Sequence, residues 1–204
     1  MSNKDFHNKM IEVQGELSVG KNVSIDSYVI FKGKVILGDD VKIGAFCIIE
    51  DSHIEANTVI KEFTTISKSK IGMNCIVGPY ARLRPNSELA NEVHIGNFVE
   101  LKNVLIASNC KINHHAFVAD ATLGSGVLIG AGTITSNYDR GIISKIIIED
   151  NAFIGSGVTL VAPLVVEESA VIAAGSTVIK NAPKGSLTIA RAKQVVLDNW
   201  VENF

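Results

Sequence analysis

The stretch IASNCKINHHAFVADATLG (residues 106–124) contains one full turn of a repeat that organises most of the chain. Its large aliphatic residues, Ile106, Ile112, Val118 and Leu123, lie six, six and five positions apart. The apolar positions of an amphipathic helix recur every 3.6 residues instead. The spacing therefore favours a coil of three short strands, each of which sends one apolar side chain into the interior.

The same pattern extends in both directions as three rows of apolar residues with nine members each. The first row is Val19, Leu37, Ile54, Ile71, Leu89, Ile106, Leu123, Ile148 and Val166. The second row is Ile25, Ile43, Ile60, Val77, Ile95, Ile112, Ile129, Ile154 and Ile172. The third row is Phe31, Ile49, Ile66, Leu83, Leu101, Val118, Thr135, Leu160 and Val178. Nine turns in one register predict an all-β, parallel β-helix of hexapeptide repeats over residues 16–180, in which stacked turns bury the rows.

Both ends of such a coil need to be covered. We expect residues 1–15 to form an N-terminal cap and residues 181–204 to form a C-terminal capping helix and tail. Within the segment ARAKQVVLDNW (190–200), Val195, Val196 and Trp200 are spaced for one face of a helix.

Composition disfavours several classes of function. The chain has 204 residues and a net charge of −2, so no basic field favours nucleic acid or an anionic membrane. Its first ten residues lack the apolar core of a secretory signal, and no apolar run is long enough for a membrane span, so we expect a cytoplasmic protein. Cys47, Cys75 and Cys110 lack metal-ligand spacing and are predicted to be small interior residues.

A histidine and three small residues share one slot of the repeat. His114 follows Ile112 by two positions, and Ala131, Ser156 and Ala174 occupy the same slot in later turns. Parallel stacking predicts one column with steps of roughly 4.8 Å. A long, thin ligand could lie on the small residues with its reactive end at the imidazole. From these residues alone, a solvated His114 and plain turn alanines remain open alternatives, and His115 is expected to pack or to contact another copy.

About eight extra residues interrupt the repeat between Thr135 and Ile148, which predicts an inserted loop at about 136–146. Asn137, Tyr138 and Gly141 give this loop turn-forming chemistry. Insertions in repeat proteins often build the binding face.

Five segments give a more specific signal: VGPYARLRP (77–85), HIGNFVELKN (94–103), IGAGTITSNYD (129–139), LVAP (160–163) and IAAGSTV (172–178). They resemble the acetyltransferase half of the bacterial bifunctional N-acetylglucosamine-1-phosphate uridyltransferase/glucosamine-1-phosphate acetyltransferases, over about 125 residues. The resemblance implies a left-handed β-helix and a homotrimer with sites at subunit interfaces. No counterpart of the Gly-rich nucleotide loop of the other half is present, so we do not expect uridyl transfer.

The resemblance also implies acetyl-CoA-dependent transfer to the 2-amino group of an amino-sugar phosphate, with no metal required. The general base of the family falls on His114, and the amide that stabilises the oxyanion falls on Ala131. The other implied positions are Asn137 near the reacting groups, Ser156, Ala174, Arg191 and Tyr138 for coenzyme A, and Arg84 and Lys102 for the sugar phosphate. We further expect Glu100 to orient the imidazole or the amine.

Three positions of the sugar pocket depart from the family pattern. Phe117 replaces a tyrosine, Leu128 an asparagine and Ile143 a lysine. The acceptor is therefore expected to be glucosamine 1-phosphate or a less charged amino sugar, and a larger acyl group is a further alternative. A non-catalytic binding or scaffold protein also fits the repeat. A zinc carbonic anhydrase of this fold is disfavoured because the chain lacks a His-x4-His pair.

Overall fold

The computed structural model describes residues 10–198 and residue 200 as a coil of short strands. Apart from the strands Tyr138–Asp139 and Ile142–Ile143, which pair with each other in antiparallel fashion, the strands pair in parallel with strands of neighbouring turns of the coil. The strands are β1 (Glu12–Val19), β2 (Ser24–Ile25), β3 (Ile30–Leu37), β4 (Lys42–Ile43), β5 (Ile48–Glu50), β6 (His53–Ile54), β7 (Val59–Ile60), β8 (Thr65–Ser67), β9 (Lys70–Ile71), β10 (Ile76–Val77), β11 (Arg82–Leu83), β12 (Ser87–Leu89), β13 (His94–Asn97), β14 (Glu100–Ile106), β15 (Lys111–His114), β16 (Phe117–Leu123), β17 (Leu128–Ile129), β18 (Ile134–Ser136), β19 (Tyr138–Asp139), β20 (Ile142–Ile143), β21 (Ile146–Ile148), β22 (Phe153–Ile154), β23 (Thr159–Val161), β24 (Leu164–Val166), β25 (Val171–Ile172), β26 (Thr177–Val178) and β27 (Leu187–Thr188).

The strands form the three faces of the coil. Each face has the number of the apolar row that its strands contribute to the interior. The second face is a ten-stranded sheet in the order β2-β4-β7-β10-β13-β15-β17-β22-β25-β27. The first and third faces are joined into one 15-stranded sheet because β3, β14 and β16 continue from the third face to the first. The predicted all-β parallel β-helix is therefore confirmed.

The interior consists of the three predicted rows. Apart from Val19, every member of the rows is at most 4% exposed. The three cysteines are free and buried, as predicted. Burial raises the pKa of the Cys47 thiol to about 11, so this cysteine acts as a small apolar residue.

The ends differ from expectation. β1 pairs with β3 along its whole length, so residues 12–15 belong to the coil, whereas residues 1–9 of the predicted cap lie outside the described residues. The coil also extends beyond residue 180, because β27 pairs with β25. The predicted C-terminal helix is wrong for residues 191–198, which contain no helix. Val195 to Leu197 are 63–77% exposed, and a helix shorter than roughly 12 residues is marginal without a surface to pack on.

A column of stacked rings runs along the corner between the second and third faces. Its members are Tyr28, Phe46, Phe63, Tyr80, Phe98 and His115. Successive ring centroids are 4.8–5.2 Å apart, close to the strand spacing. The next three turns have Gly132, Gly157 and Gly175 at this corner, all with positive φ like the ring-bearing residues. The column of rings therefore ends at His115.

Replacing Phe63 by alanine is expected to lower the free energy of unfolding by about 1–3 kcal/mol, because the ring stacks on two neighbours and each pair contributes about 0.5–1.5 kcal/mol. Urea unfolding measures the change. Phe153→Ala is the control, since Phe153 is equally exposed (43% against 42%) but stacks on no ring within residues 10–198 and 200. Equal losses in the two variants would contradict a contribution from stacking.

Candidate functional site

The column predicted from the repeat is present at the corner between the second and third faces. β15, β17, β22 and β25 pair in register, so His114, Ala131, Ser156 and Ala174 stack in that order. The carbonyl of His114 accepts a hydrogen bond from the amide of Gly132 (3.2 Å), and those of Ala131 and Ser156 accept from Gly157 (2.7 Å) and Gly175 (2.8 Å). All four column residues are exposed, so the column is an open track.

Two glycines allow the turns to approach closely beside this track. A Cβ atom on Gly130 would lie 2.5 Å from the amide nitrogen of Ser156, and one on Gly155 would lie 2.5 Å from that of Ala174. Any side chain at these positions would push the stacked turns apart. The amide of Ala131 donates to no acceptor among the described residues, so it is available to a group outside the chain.

The imidazole of His114 is oriented by an asparagine that the sequence analysis missed. His114 Nδ1 lies 2.6 Å from Asn97 Oδ1, and the two residues are partners in the pairing of β13 with β15. An amide oxygen only accepts, so Nδ1 carries the hydrogen and the Nε2 lone pair of the neutral ring stays free. Asn97 follows Ile95 by two positions, so extending the column by one turn would have identified it.

Glu100 contacts arginines rather than the imidazole. Its Oε1 accepts from Arg84 Nη1 at 3.0 Å, and its Oε2 lies 3.9 Å from Arg82 Nη1. Arg82 was not predicted. Glu100 lies opposite Phe117 in the pairing of β14 with β16, on the third face. The imidazole thus takes its orientation from Asn97, and Glu100 holds Arg84 in place.

Two lysines lie near His94 on the second face, beside the column. The pKa of His94 is lowered, first by burial and then by the charges of Lys61 and Lys111. His94 is therefore neutral at pH 7, and the two lysines supply the charge on this part of the face.

The far end of the track is reached by Arg191. Its Nη1 donates to the carbonyl oxygen of Ala174 at 2.8 Å. The segment 191–198 thus starts directly on the column, although it is not helical. The guanidinium keeps further donors for a ligand on the track.

The inserted loop forms a hairpin at the end of the third face that is opposite to His114. β19 and β20 pair in antiparallel fashion, with Tyr138 opposite Ile143. Asn137 connects this hairpin to β18, which ends the third face, whereas His114 precedes the face at its start. Within one chain, the width of the third face therefore separates His114 from Asn137 and Tyr138. Arg84 and Lys102 lie at the same end of the face as Asn137.

The three departures from the family pattern occupy distinct places. Phe117 begins the third face three residues after His114. Leu128 lies opposite Lys111 and Phe153 on the second face, beside the column. Ile143 is 54% exposed on the hairpin. Two of the three therefore border the imidazole end of the track, and the third lies on the inserted loop.

Residues 10–198 and 200 contain no group of three His, Cys, Asp or Glu side chains placed to hold a metal ion. No helix in this part of the chain has the length and apolar character needed to cross a membrane.

The fold and the repeat define a hexapeptide-repeat β-helix protein. The family described as "Hexapeptide repeat of succinyl-transferase" matches residues 145–180, and the family described as "GMPPB C-terminal domain" matches residues 13–99. The chain is similar in sequence to part of the bifunctional protein GlmU. It is 53% identical over 190 residues to that protein from Ralstonia pickettii (strain 12J), and 53% identical to that from Cupriavidus pinatubonensis. These alignments cover 93% of the chain and 42% of each relative, so the chain spans about two fifths of their length.

Solved structures share the fold at low sequence identity. LpxA, a UDP-N-acetylglucosamine acyltransferase from Bacteroides fragilis, superposes with a TM-score of 0.62 and 20% identity over 87% of this chain and 69% of that one. The UDP-N-acetylglucosamine acyltransferase of Francisella novicida superposes with a TM-score of 0.55 and 19% sequence identity. This superposition covers 89% of this chain and 65% of that one. At this identity the similarity establishes the β-helix alone.

Proposed function

We propose that the protein is an acetyl-CoA-dependent N-acyltransferase acting on an amino sugar, with glucosamine 1-phosphate or a less charged relative as the acceptor. One observation carries the proposal: an imidazole with a free Nε2 lone pair heads an open track of small residues. The homology to the acetyltransferase half of GlmU supports this reading.

His114 acts as the general base in this mechanism. An amine must be neutral to attack a thioester, so Nε2 of His114 takes the proton as the amine nitrogen bonds to the carbonyl carbon. The Ala131 amide donates to the oxyanion that develops on the carbonyl oxygen. The carbon–sulfur bond then breaks, and the departing sulfur takes the proton from Nε2, which returns the imidazole to its neutral form. The products are the N-acyl sugar and free coenzyme A.

Coenzyme A extends from this point along the track. Ser156 and Ala174 contact it because their small side chains leave the corner open. Arg191 contacts it at the far end, where its side chain already touches the Ala174 carbonyl. Tyr138, 68% exposed on the hairpin, offers a further contact surface.

The acceptor site is completed by a second copy of the chain in a cytoplasmic homotrimer. The separation of His114 from the hairpin across the third face supports this arrangement. Arg84, held by Glu100, and Lys102 supply positive charge to a sugar phosphate. Phe117, Leu128 and Ile143 make the rest of this site more apolar than in the family, which favours an acceptor with fewer polar groups.

Release of free thiol from acetyl-CoA, measured with glucosamine 1-phosphate and a panel of other amino sugars, tests the proposal. We expect acceptor-dependent release with at least one amino sugar. Turnover with glucosamine 1-phosphate would mean that the three apolar residues are tolerated, and turnover with another amine alone would identify the acceptor. Coenzyme A binding with no turnover on any amine would contradict the proposal and favour the non-catalytic binding protein.

A further inference from the structure

A buried carboxylate lies behind the inserted loop and has no part in the mechanism above. Asp120 is 4% exposed at the corner between the third and first faces. Its Oδ1 accepts from Asn103 Nδ2 and its Oδ2 from Asn137 Nδ2, both at 2.5 Å. No Lys, Arg or His of the described chain forms an ion pair with it. Two side-chain amides are thus the hydrogen-bond donors to a buried acid.

This arrangement fixes the polarity of Asn137. A carboxylate only accepts, so the NH2 group of Asn137 must point inward at Asp120. The Oδ1 atom of Asn137 then faces away from the carboxylate, and no donor among residues 10–198 and 200 reaches it. Asn137 is partly exposed, and its carbonyl oxygen accepts from the amide of Ser144 at 2.9 Å, which holds its backbone. The free group is therefore a fixed hydrogen-bond acceptor.

We propose that Asp120 is a positioning residue that orients the Asn137 amide so that its oxygen receives a hydrogen bond from a hydroxyl or amino group of the sugar. The inference rests on the proposed function, because the Asn137 oxygen can contact a sugar only if the protein has an acceptor site for one. An amide free to rotate would offer its donor and its acceptor equally. The buried carboxylate removes that choice and selects a ligand that donates at this point.

The geometry predicts that the acid and the amide can be exchanged. Asn137→Asp places two carboxylates against each other and should raise KM for the acceptor about 10-fold or more, since loss of about 1.4 kcal/mol of binding is tenfold. The double variant Asp120→Asn/Asn137→Asp restores a donor–acceptor pair and still directs an acceptor oxygen outward. It should return the acceptor KM to within about 3-fold of wild type. Asp120→Asn alone should give an intermediate value, because either flanking amide can reverse.

The experiment measures KM and kcat for the acceptor in wild type and these three variants, with thermal unfolding of each. We expect the rise in the acceptor KM of Asn137→Asp to be reversed in the double variant, with the KM for acetyl-CoA within about 3-fold of wild type in all three variants, because the hydrogen bond assigned to Asn137 is made to the sugar. Asn103→Ala is the control: it removes the other bond to the same carboxylate, and should lower the unfolding temperature without raising the acceptor KM.

Each outcome is decisive. A double variant as weak as Asn137→Asp would overturn the inference, because it would show that the outward group must donate. An acceptor KM raised equally by Asn103→Ala would reduce Asp120 to a structural residue. A wild-type protein that releases no thiol with any amine would instead remove the proposed function, and the two failures are thereby distinguished.

Discussion

Replacing His114 by alanine is expected to lower the rate of acyl transfer by about 10²–10⁴-fold, the usual contribution of a general base. Within residues 10–198 and 200, the one hydrogen bond of the ring joins Nδ1 to Asn97 Oδ1, so we expect its removal to leave the backbone of the column unchanged. Coenzyme A affinity should therefore stay close to wild type. Single-turnover thiol release and calorimetric titration of coenzyme A measure the two quantities separately.

His115→Ala is the matched control for this variant. His115 is the adjacent imidazole, but its ring packs against Phe98 at the end of the column of rings. It should retain transfer while losing some stability. Asn97→Ala is expected to fall between the two, because the ring of His114 is then free to adopt either tautomer. Full transfer in His114→Ala would remove this residue from the mechanism.

The triple variant Phe117→Tyr/Leu128→Asn/Ile143→Lys is expected to raise the preference for glucosamine 1-phosphate over glucosamine by about 100-fold. Each restored polar contact is worth about 1–3 kcal/mol in discrimination, and the lysine adds a charge for the phosphate. The fold should tolerate the changes because Leu128 and Ile143 are 37% and 54% exposed and Phe117 keeps its ring. The ratio of kcat/KM for the two sugars, measured in wild type and variant, gives the result.

Ile142→Lys is the control for the added charge. It places a lysine next to Ile143 on the same strand, and Ile142 is 67% exposed opposite Asp139. Neighbouring strand residues point to opposite sides, so this charge should not reach the phosphate and the ratio should stay near that of wild type. An unchanged ratio in the triple variant would show that these positions do not select the acceptor.

The repeat made the fold and the column predictable because both follow from spacing alone. Rows of Ile and Val in one register are buried together when the turns of the coil stack. The residues two positions after the second-row members then lie above one another in a column. Asn97 was within reach of the same argument, one turn before His114. The pairing of Glu100 with Arg84 was not, since it depends on which rotamers two long side chains adopt on the third face.

The C-terminal segment shows another limit. The pattern of Val195, Val196 and Trp200 is helical in spacing, but residues 191–198 of the chain meet no surface that would bury an apolar helix face. Helices this short form when packing supports them. Periodicity reports which residues could share a face, and it does not report whether a partner surface exists.

The change from stacked rings to glycines at one corner gives the two parts of the coil different resistance to bending. Five successive turns are braced from outside by stacked rings, and a sixth by His115. The following turns have glycine there and rely on their interior alone. In a linear array each turn contacts only its neighbours, so bending compliance is set locally. We therefore expect the turns with stacked rings to resist bending more than the turns with glycine. His114 and His115 lie at the boundary between these two parts of the coil.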